Sequence, residues 1–334
     1  MIQDARILRD EFVPNEVGHR DGEMNALTRA LDPVTRGEPA ETALLFGPSG
    51  AGKTCLARFA VDRLRESVID LAHQYVNCWQ DYTRFRALYR LLEAIGPTYD
   101  VHRQSTPTDE LLERLEAYDG PPFVAVLDEI DQLKDERVLY DLYRIPGISM
   151  VLIANREPEL FARLDERLVS RLHGATRIRF ERYDLDELVS ILEDRVRWGL
   201  DEDAIDRDGL ARIADAAAGD ARVAITVLRN AARRAERDGA ATITPATIEA
   251  AIPAGRSAVQ RKHVDQLTPH QRVLYGIVAE HGSIAPGELY EAYAARVDEP
   301  RTDRTVRNHL SKLAHYNLVV KEGEGGGRTY RLRD

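Results

Sequence analysis

Ala43-Leu-Leu-Phe46 runs directly into Gly47-Pro48-Ser49-Gly50-Ala51-Gly52-Lys53-Thr54. Four apolar residues meet a loop with three glycines, and from Lys53 onward apolar residues recur at helical spacing over 53–65. Strand, G-x-x-x-x-G-K-[ST] loop and helix is the order in which glycine-rich backbone turns its N–H groups inward around phosphate oxygens. All eight loop residues, Gly47, Pro48, Ser49, Gly50, Ala51, Gly52, Lys53 and Thr54, are therefore expected to bind ATP or ADP. Lys53 is expected to reach the β- and γ-phosphates and the Thr54 hydroxyl to take Mg²⁺.

A second stretch supplies what that loop needs. Residues 123–127, Phe-Val-Ala-Val-Leu, are apolar and end in Asp128-Glu129. An acid held near the core is expensive unless it faces a cation, so Asp128 is expected to hold Mg²⁺. Glu129 is then placed to polarise the attacking water as general base. Asp131 reads as a solvated acid or a helix cap. The apolar run 151–154 ends in Asn155, whose amide is expected to orient water or the γ-phosphate; the alternative is an ordinary turn former.

Outward from these motifs, apolar runs at 42–46, 75–78, 123–127, 149–154 and 177–180 alternate with amphipathic stretches at 53–65, 84–95, 109–118 and 158–164. That alternation predicts an α/β fold with a mainly parallel sheet covered on both faces. After residue 184 the strand pattern stops, and 186–198, 208–218, 221–235 and 245–251 read as helices. Pro253-Ala254-Gly255 marks a break, followed by a linker or linking helix near 253–265. The last segment reads as helices at 267–281, 286–295 and 302–316, then strand, Gly-rich tip and strand at 318–321, 322–327 and 328–332. That order predicts a winged helix. The expected domains are 1–180 for the nucleotide-binding domain, 181–255 for an all-α lid, and 256–334 for the linker and winged helix.

Composition limits the partners. In 334 residues the formal net charge is -10, so a generally basic nucleic-acid coat is excluded and any DNA contact must be local. The basic patch lies at the end. From Arg301 onward eight Lys and Arg stand against four acids, giving +4, while the rest of the chain carries -14. Arg304, Arg307 and Asn308 share a face at spacings i, i+3, i+4, joined by Arg301 and Lys312, with Val306, Leu310 and Leu313 turned inward. Arg304, Arg307, Asn308, Lys312 and, beside the tip, Arg328 are the expected contacts to double-stranded DNA; a winged helix used for protein contact is the alternative. No apolar run approaches the ~18–20 residues that span a bilayer, and the N-terminal residues lack a signal-peptide core. Cys55 and Cys78 alone make neither a disulfide framework nor a zinc cluster. A cytoplasmic protein with no membrane partner is expected. Five lysines against 41 arginines, with an acidic surplus, suit a salt-rich cytoplasm or reflect GC-rich codons.

Strand-loop-Lys, strand-Asp-Glu, strand-Asn and an all-helical segment together resemble the AAA+ ATPases. The resemblance implies further roles. Arg171, in Val169-Ser170-Arg171-Leu172, falls where related clades carry a trans-acting arginine finger, with Arg167 as its rival. Arg222, in Gly219-Asp220-Ala221-Arg222, matches the second sensor, which contacts the γ-phosphate. AAA+ domain, lid and winged helix in that order resemble the archaeal replication-initiator family, kin of the origin recognition complex and the eukaryotic helicase-loading factor. Tyr75-Val-Asn77-Cys78 looks like the family's second strand, and Val13-Pro14 and His19-Arg20 look like residues near the adenine. The family's DNA-touching insert is expected to be reduced, because the interval between Cys78 and Phe123 is short, and a plasmid-borne or accessory paralogue is plausible. The resemblance implies a nucleoid-associated initiator: a slow, switch-like ATPase on origin repeats that recruits or loads the replicative helicase, with ATP-dependent self-association. The competing reading is an AAA+ regulator of transcription or transposition. A simple winged-helix repressor leaves residues 42–222 without a use.

Overall fold

A computed structural model describes residues 1–265, 267–316, 318–323 and 328–333. The chain divides into two compact units, Met1–Ile248 and Glu249–Asp334. The expected nucleotide-binding segment and residues 181–248 of the expected lid thus share one unit, while 249–255 fall in the other.

In the first unit, α1 (Asp21–Leu31) precedes β1 (Ala43–Phe46), α2 (Lys53–Ser67) and β2 (Ala72–Asn77). Then come α3 (Arg84–Leu92), α4 (Thr108–Glu116), β3 (Phe123–Asp128), α5 (Arg137–Tyr143) and β4 (Ile148–Ala154). Two short helices, α6 (Glu157–Phe161) and α7 (Glu166–Leu172), lead to β5 (Thr176–Arg179). The five strands lie in the order β2-β3-β4-β1-β5, every neighbouring pair parallel. Alternate residues explain the two covered faces. Leu44, Ala125, Leu127, Met150 and Leu152 belong to one apolar cluster with α3, α4 and α5. Leu45, Val124, Val126, Val151 and Ile153 belong to another with α1 and α2. Asn77 pairs with Asp128, and Phe46 with Ala154, so the glycine loop, the acidic pair and Asn155 leave the sheet at one carboxyl edge.

The helices α8 (Leu185–Gly199), α9 (Arg207–Ala217) and α10 (Ala221–Arg237) pack on one another as the lid. The N-terminal segment is tied to α8: Gln3 donates its backbone N–H to the Gly199 carbonyl at 2.9 Å, and the buried Arg195 donates to the carbonyls of Ile7 and Phe12 at 2.7 and 3.1 Å.

Helix α11 (Pro245–Asp265) corrects the expected break, because it continues through Pro253. Proline in a helix interior removes one backbone bond and costs roughly 3 kcal/mol. Here the helix continues for 12 residues beyond it, and Ala251 and Val259 on either side are buried.

The second unit contains α12 (Pro269–His281), β6 (Ser283–Ile284), α13 (Pro286–Ala294), α14 (Asp303–His315), β7 (Val319–Glu322) and β8 (Thr329–Leu332). The sheet order is β6-β8-β7, all antiparallel, over a core that includes Leu274, Ile277, Leu289, Leu310 and Leu313. This is a winged helix with a three-stranded sheet in place of the expected hairpin. The added strand is two residues long, too short to show a period. The predicted tip at 322–327 falls largely on residues outside those described. Among the described residues no helix is long and apolar enough to cross a membrane.

Candidate nucleotide site and the basic helix

The loop after β1 is shaped by its glycines. Gly50 has φ +76°, and a Cβ there would stand 2.0 Å from the Asp220 carboxylate. Gly52 has φ +92°, and its Cβ would meet the Tyr183 hydroxyl at 2.3 Å. Side chains at these points would push away the residues that close over the loop. Ala221 N–H donates to the Gly50 carbonyl at 3.2 Å, so the first turn of α10 docks on the loop. Asp220 caps that helix, accepting from the backbone of Arg222 and Val223 at 2.9 and 3.2 Å.

The chemistry-bearing side chains converge. The Lys53 ammonium is buried and donates to the carbonyls of Gly47 at 2.6 Å and Pro48 at 2.8 Å, and to Asn155 Oδ1 at 3.3 Å. Burial lowers its pKa to about 8, against the opposing pull of Asp128. The Thr54 hydroxyl donates to Asp128 Oδ2 at 2.6 Å, and the Tyr75 hydroxyl donates to the same oxygen at 2.7 Å. Burial and the charge of Asp128 push the Tyr75 pKa upward, so its hydroxyl stays a donor. Glu129 stands at φ +56°, a backbone conformation unusual for a residue with a side chain. Its Oε2 is buried with no hydrogen-bond partner, and burial, then the charges of Asp128 and Asp131, push its pKa well up. Asp131 is half-buried and accepts from Gln132 Nε2 at 2.9 Å, so it is neither fully solvated nor the cap of a long helix.

These residues line a cleft of roughly 1060 Å³, open at its mouth. Ser49, Gly50, Ala51, Gly52, Lys53, Thr54, Asp128, Glu129, Asn155, Arg222 and Pro14 are all in its wall. Gly47 and Pro48 act instead through the carbonyls that receive Lys53. His19 also lines the cleft. Arg20, expected beside it, does not line the cleft but is buried behind its wall: it donates to the Glu181 carbonyl at 2.7 Å and stacks at 4.1 Å over Tyr183, which does line it. The Thr54 hydroxyl and Asp128 carboxylate form a hard-oxygen pair of the kind that suits Mg²⁺.

Part of the cleft was not foreseen. Phe12, Val17, Ile191 and Ile225 give an apolar wall, with Asp10, Asp194 and Arg195 beside it. The one available signal was Arg195, which shares a helical face with Leu188 and Leu192; a cation on an apolar face needs buried acceptors. Arg195 finds them in the N-terminal backbone and stacks over Phe12 at 5.0 Å.

Arg171 and Arg167 do not line this cleft among the described residues. The Arg171 guanidinium lies over Tyr140 at 4.7 Å and Tyr143 at 5.7 Å, and Arg167 is exposed. In the second unit Arg304, Arg307 and Asn308 are exposed, Lys312 and Arg328 half-buried, and Val306, Leu310 and Leu313 buried, as the spacing required. Arg307 Nε donates to the Tyr290 hydroxyl at 3.2 Å. Arg328 Nε is buried without a partner.

A phosphate-type loop after β1, an acidic pair ending β3, a polar tip on β4 and a helical lid over the cleft define a nucleotide-binding protein of the AAA+ class. A family model described as an AAA ATPase domain matches residues 16–153, and one described as the Cdc6 AAA+ ATPase-type lid domain matches 189–253. ORC1-type DNA replication protein 9 of Halobacterium salinarum is 51% identical over 334 residues, covering 100% of this chain and 94% of its own. ORC1-type DNA replication protein 1 of the same organism is 55% identical over 308 residues, covering 92% of this chain and 100% of its own. The structure of the Aeropyrum pernix ORC1 protein in complex with DNA superposes with a TM-score of 0.79 at 27% identity, covering 99% of this chain and 94% of that one. The chain belongs to the family of ORC1-type DNA replication proteins.

Proposed function

We propose that this protein is an ATP-dependent replication initiator that binds origin DNA through its winged helix and AAA+ domain and helps recruit or load the replicative helicase. The observation that carries the nucleotide half is the meeting of Thr54 and Asp128 at 2.6 Å beside the partnerless Glu129 oxygen. The loop amides and Lys53 bind the phosphates, and Asn155, held by Lys53, orients the γ-phosphate or the water. A bound Mg²⁺ at Thr54 and Asp128 supplies positive charge that offsets the phosphates. Glu129 accepts the proton of the attacking water. Arg222 opens α10 at the cleft, where its guanidinium offsets charge on the γ-phosphate.

The lid contact at Gly50 supports a switch: the loop that holds phosphate also holds the first turn of α10. Arg171, outside its own cleft, acts on the nucleotide of a neighbouring copy, with Arg167 as the alternative, which gives ATP-dependent self-association. The exposed Arg304, Arg307 and Asn308 face supports DNA contact by the winged helix of an otherwise acidic chain. The test is footprinting on the repeats beside the gene against random loci, with and without ATP. Protection confined to those repeats is the expected result; protection at unrelated operators or insertion sites selects a regulatory or transposition role instead.

A further inference from the structure

We infer that Tyr75 is a positioning residue for the metal-holding carboxylate of Asp128, an inference that rests on the Mg²⁺–ATP reading of the cleft. The glycine loop and the acidic pair assign roles to Thr54 and Asp128, and neither motif calls for a phenol on β2. The sheet brings one there. β2 runs parallel beside β3 with Tyr75 opposite Val126 and Asn77 opposite Asp128. Tyr75 packs against the apolar cluster that contains Val126, on the face covered by α2, and Asp128 follows Val126 at the same pleat. From this position the ring extends toward the carboxyl edge, and its hydroxyl donates to Asp128 Oδ2 at 2.7 Å.

That oxygen is the one that accepts from Thr54 at 2.6 Å. A carboxylate oxygen offers about two lone-pair sites, so two hydroxyl donors occupy Oδ2 and leave Oδ1 as the oxygen for a cation or its water. The ring is itself held. Arg58, one turn beyond Thr54 on α2, lies over it with its guanidinium 4.2 Å from the ring centroid. A single helix therefore supplies the hydroxyl ligand and the clamp on the residue that aims the carboxylate. Phenylalanine would fill the same space and keep the stack, but Asp128 would lose a donor and one constraint on its rotamer. Hydrogen bonds to a charged acceptor are among the stronger ones in proteins.

The experiment is Tyr75→Phe in the full chain, with a fluorescent ATP analogue titrated in EDTA and again across a Mg²⁺ series, beside Asp128→Asn. The expected result is an EDTA affinity within about twofold of the parent and a Mg²⁺ half-saturation raised about tenfold, the equivalent of about 1.4 kcal/mol. Mn²⁺, which binds a given site more tightly than Mg²⁺, is expected to restore the metal-dependent tightening. A Tyr75→Phe curve that overlays the parent while Asp128→Asn loses its Mg²⁺ response overturns the role of Tyr75 and leaves the metal reading standing. Equal weakening in EDTA and in Mg²⁺ also overturns it, because the phenol would then only shape the pocket. If Asp128→Asn keeps the full Mg²⁺ response, the metal reading falls and the inference with it.

Discussion

Lys53 and Asn155 are joined: the ammonium donates to the amide oxygen at 3.3 Å while also holding the carbonyls of Gly47 and Pro48. The link runs from the start of α2 to the tip of β4, whose end pairs in parallel with the end of β1, Phe46 with Ala154. A phosphate that draws Lys53 outward must change what Asn155 touches.

Lys53 and Glu129 carry separable roles, which two substitutions tell apart. Lys53→Ala removes the cation that phosphate needs and is expected to abolish measurable ATP binding. Glu129→Gln keeps the volume and removes the base, so ATP stays bound while turnover falls by about 10²-fold or more. Equilibrium binding and phosphate-release assays on both variants check the split. Normal hydrolysis by Glu129→Gln means that another group takes the proton.

Lys53 also gives nucleotide binding a pH signature. With its pKa lowered to about 8, the folded protein binds fewer protons than the unfolded chain between about 8 and 10.5. Stability of the nucleotide-free protein should therefore rise with pH across that window, while below about 8 the full penalty of the buried charge is present. Phosphates favour the charged form, so binding at pH 8.5 in metal-free buffer should take up roughly half to three-quarters of a proton per nucleotide. Calorimetry in buffers of different ionisation enthalpy measures this. An uptake near zero at pH 8.5 counts against Lys53 as the group responsible.

How much of this was legible follows from how contiguous each feature is. The glycine loop, Asp128-Glu129 and Asn155 sit on unbroken apolar runs, and a parallel sheet places strand ends together, so the motifs imply their own meeting. The apolar wall was hidden because Phe12 and Val17 come from the N-terminal segment while Ile191 and Ile225 come from lid helices, with no shared pattern. Tyr75 reads as an ordinary strand residue until the register of β2 on β3 is known. The short helices α5 and α7, with seven residues each, hold too few turns for a period to emerge, and α1 falls in polar sequence. The break that Pro253 predicts does not form, because helix continues on both sides of it.

The stacked Arg171 yields the third prediction. Its guanidinium rests on Tyr140 and Tyr143 and lies outside its own cleft. Arg171→Ala should leave ATP affinity unchanged and lower turnover only at concentrations where copies meet. The efficient limit for a trans-acting arginine is on the order of 10³-fold, and a switch-like protein should show less. Mixing Arg171→Ala with Glu129→Gln protein should restore part of the rate, because one pairing assembles an intact composite site. Absence of complementation argues against such a site, and a normal rate in Arg171→Ala alone transfers the role to Arg167.

The DNA contact should lie on α14 and the adjoining strand. Arg304, Arg307 and Asn308 are exposed along one face, while Val306, Leu310 and Leu313 anchor the opposite face in the core. Arg307 is steadied by the Tyr290 hydroxyl at 3.2 Å, and Arg328 brings a buried, partnerless Nε to the start of β8. If Arg307 reads a base edge, Arg307→Ala should cost about 1–3 kcal/mol on the cognate duplex and relax specificity at one position. If it neutralises phosphate, affinity should fall evenly on cognate and scrambled duplexes, and the salt slope should drop by about one. Binding isotherms at several salt concentrations on both duplexes tell these apart. The Arg304/Arg307/Arg328 triple Ala variant removes three of the eight basic residues of the terminal patch and leaves every buried apolar residue of α14 in place. Its DNA affinity should collapse at moderate salt with the fold intact by circular dichroism. Undiminished affinity in that variant would make the winged helix a protein-docking module and move the DNA contact to the AAA+ unit.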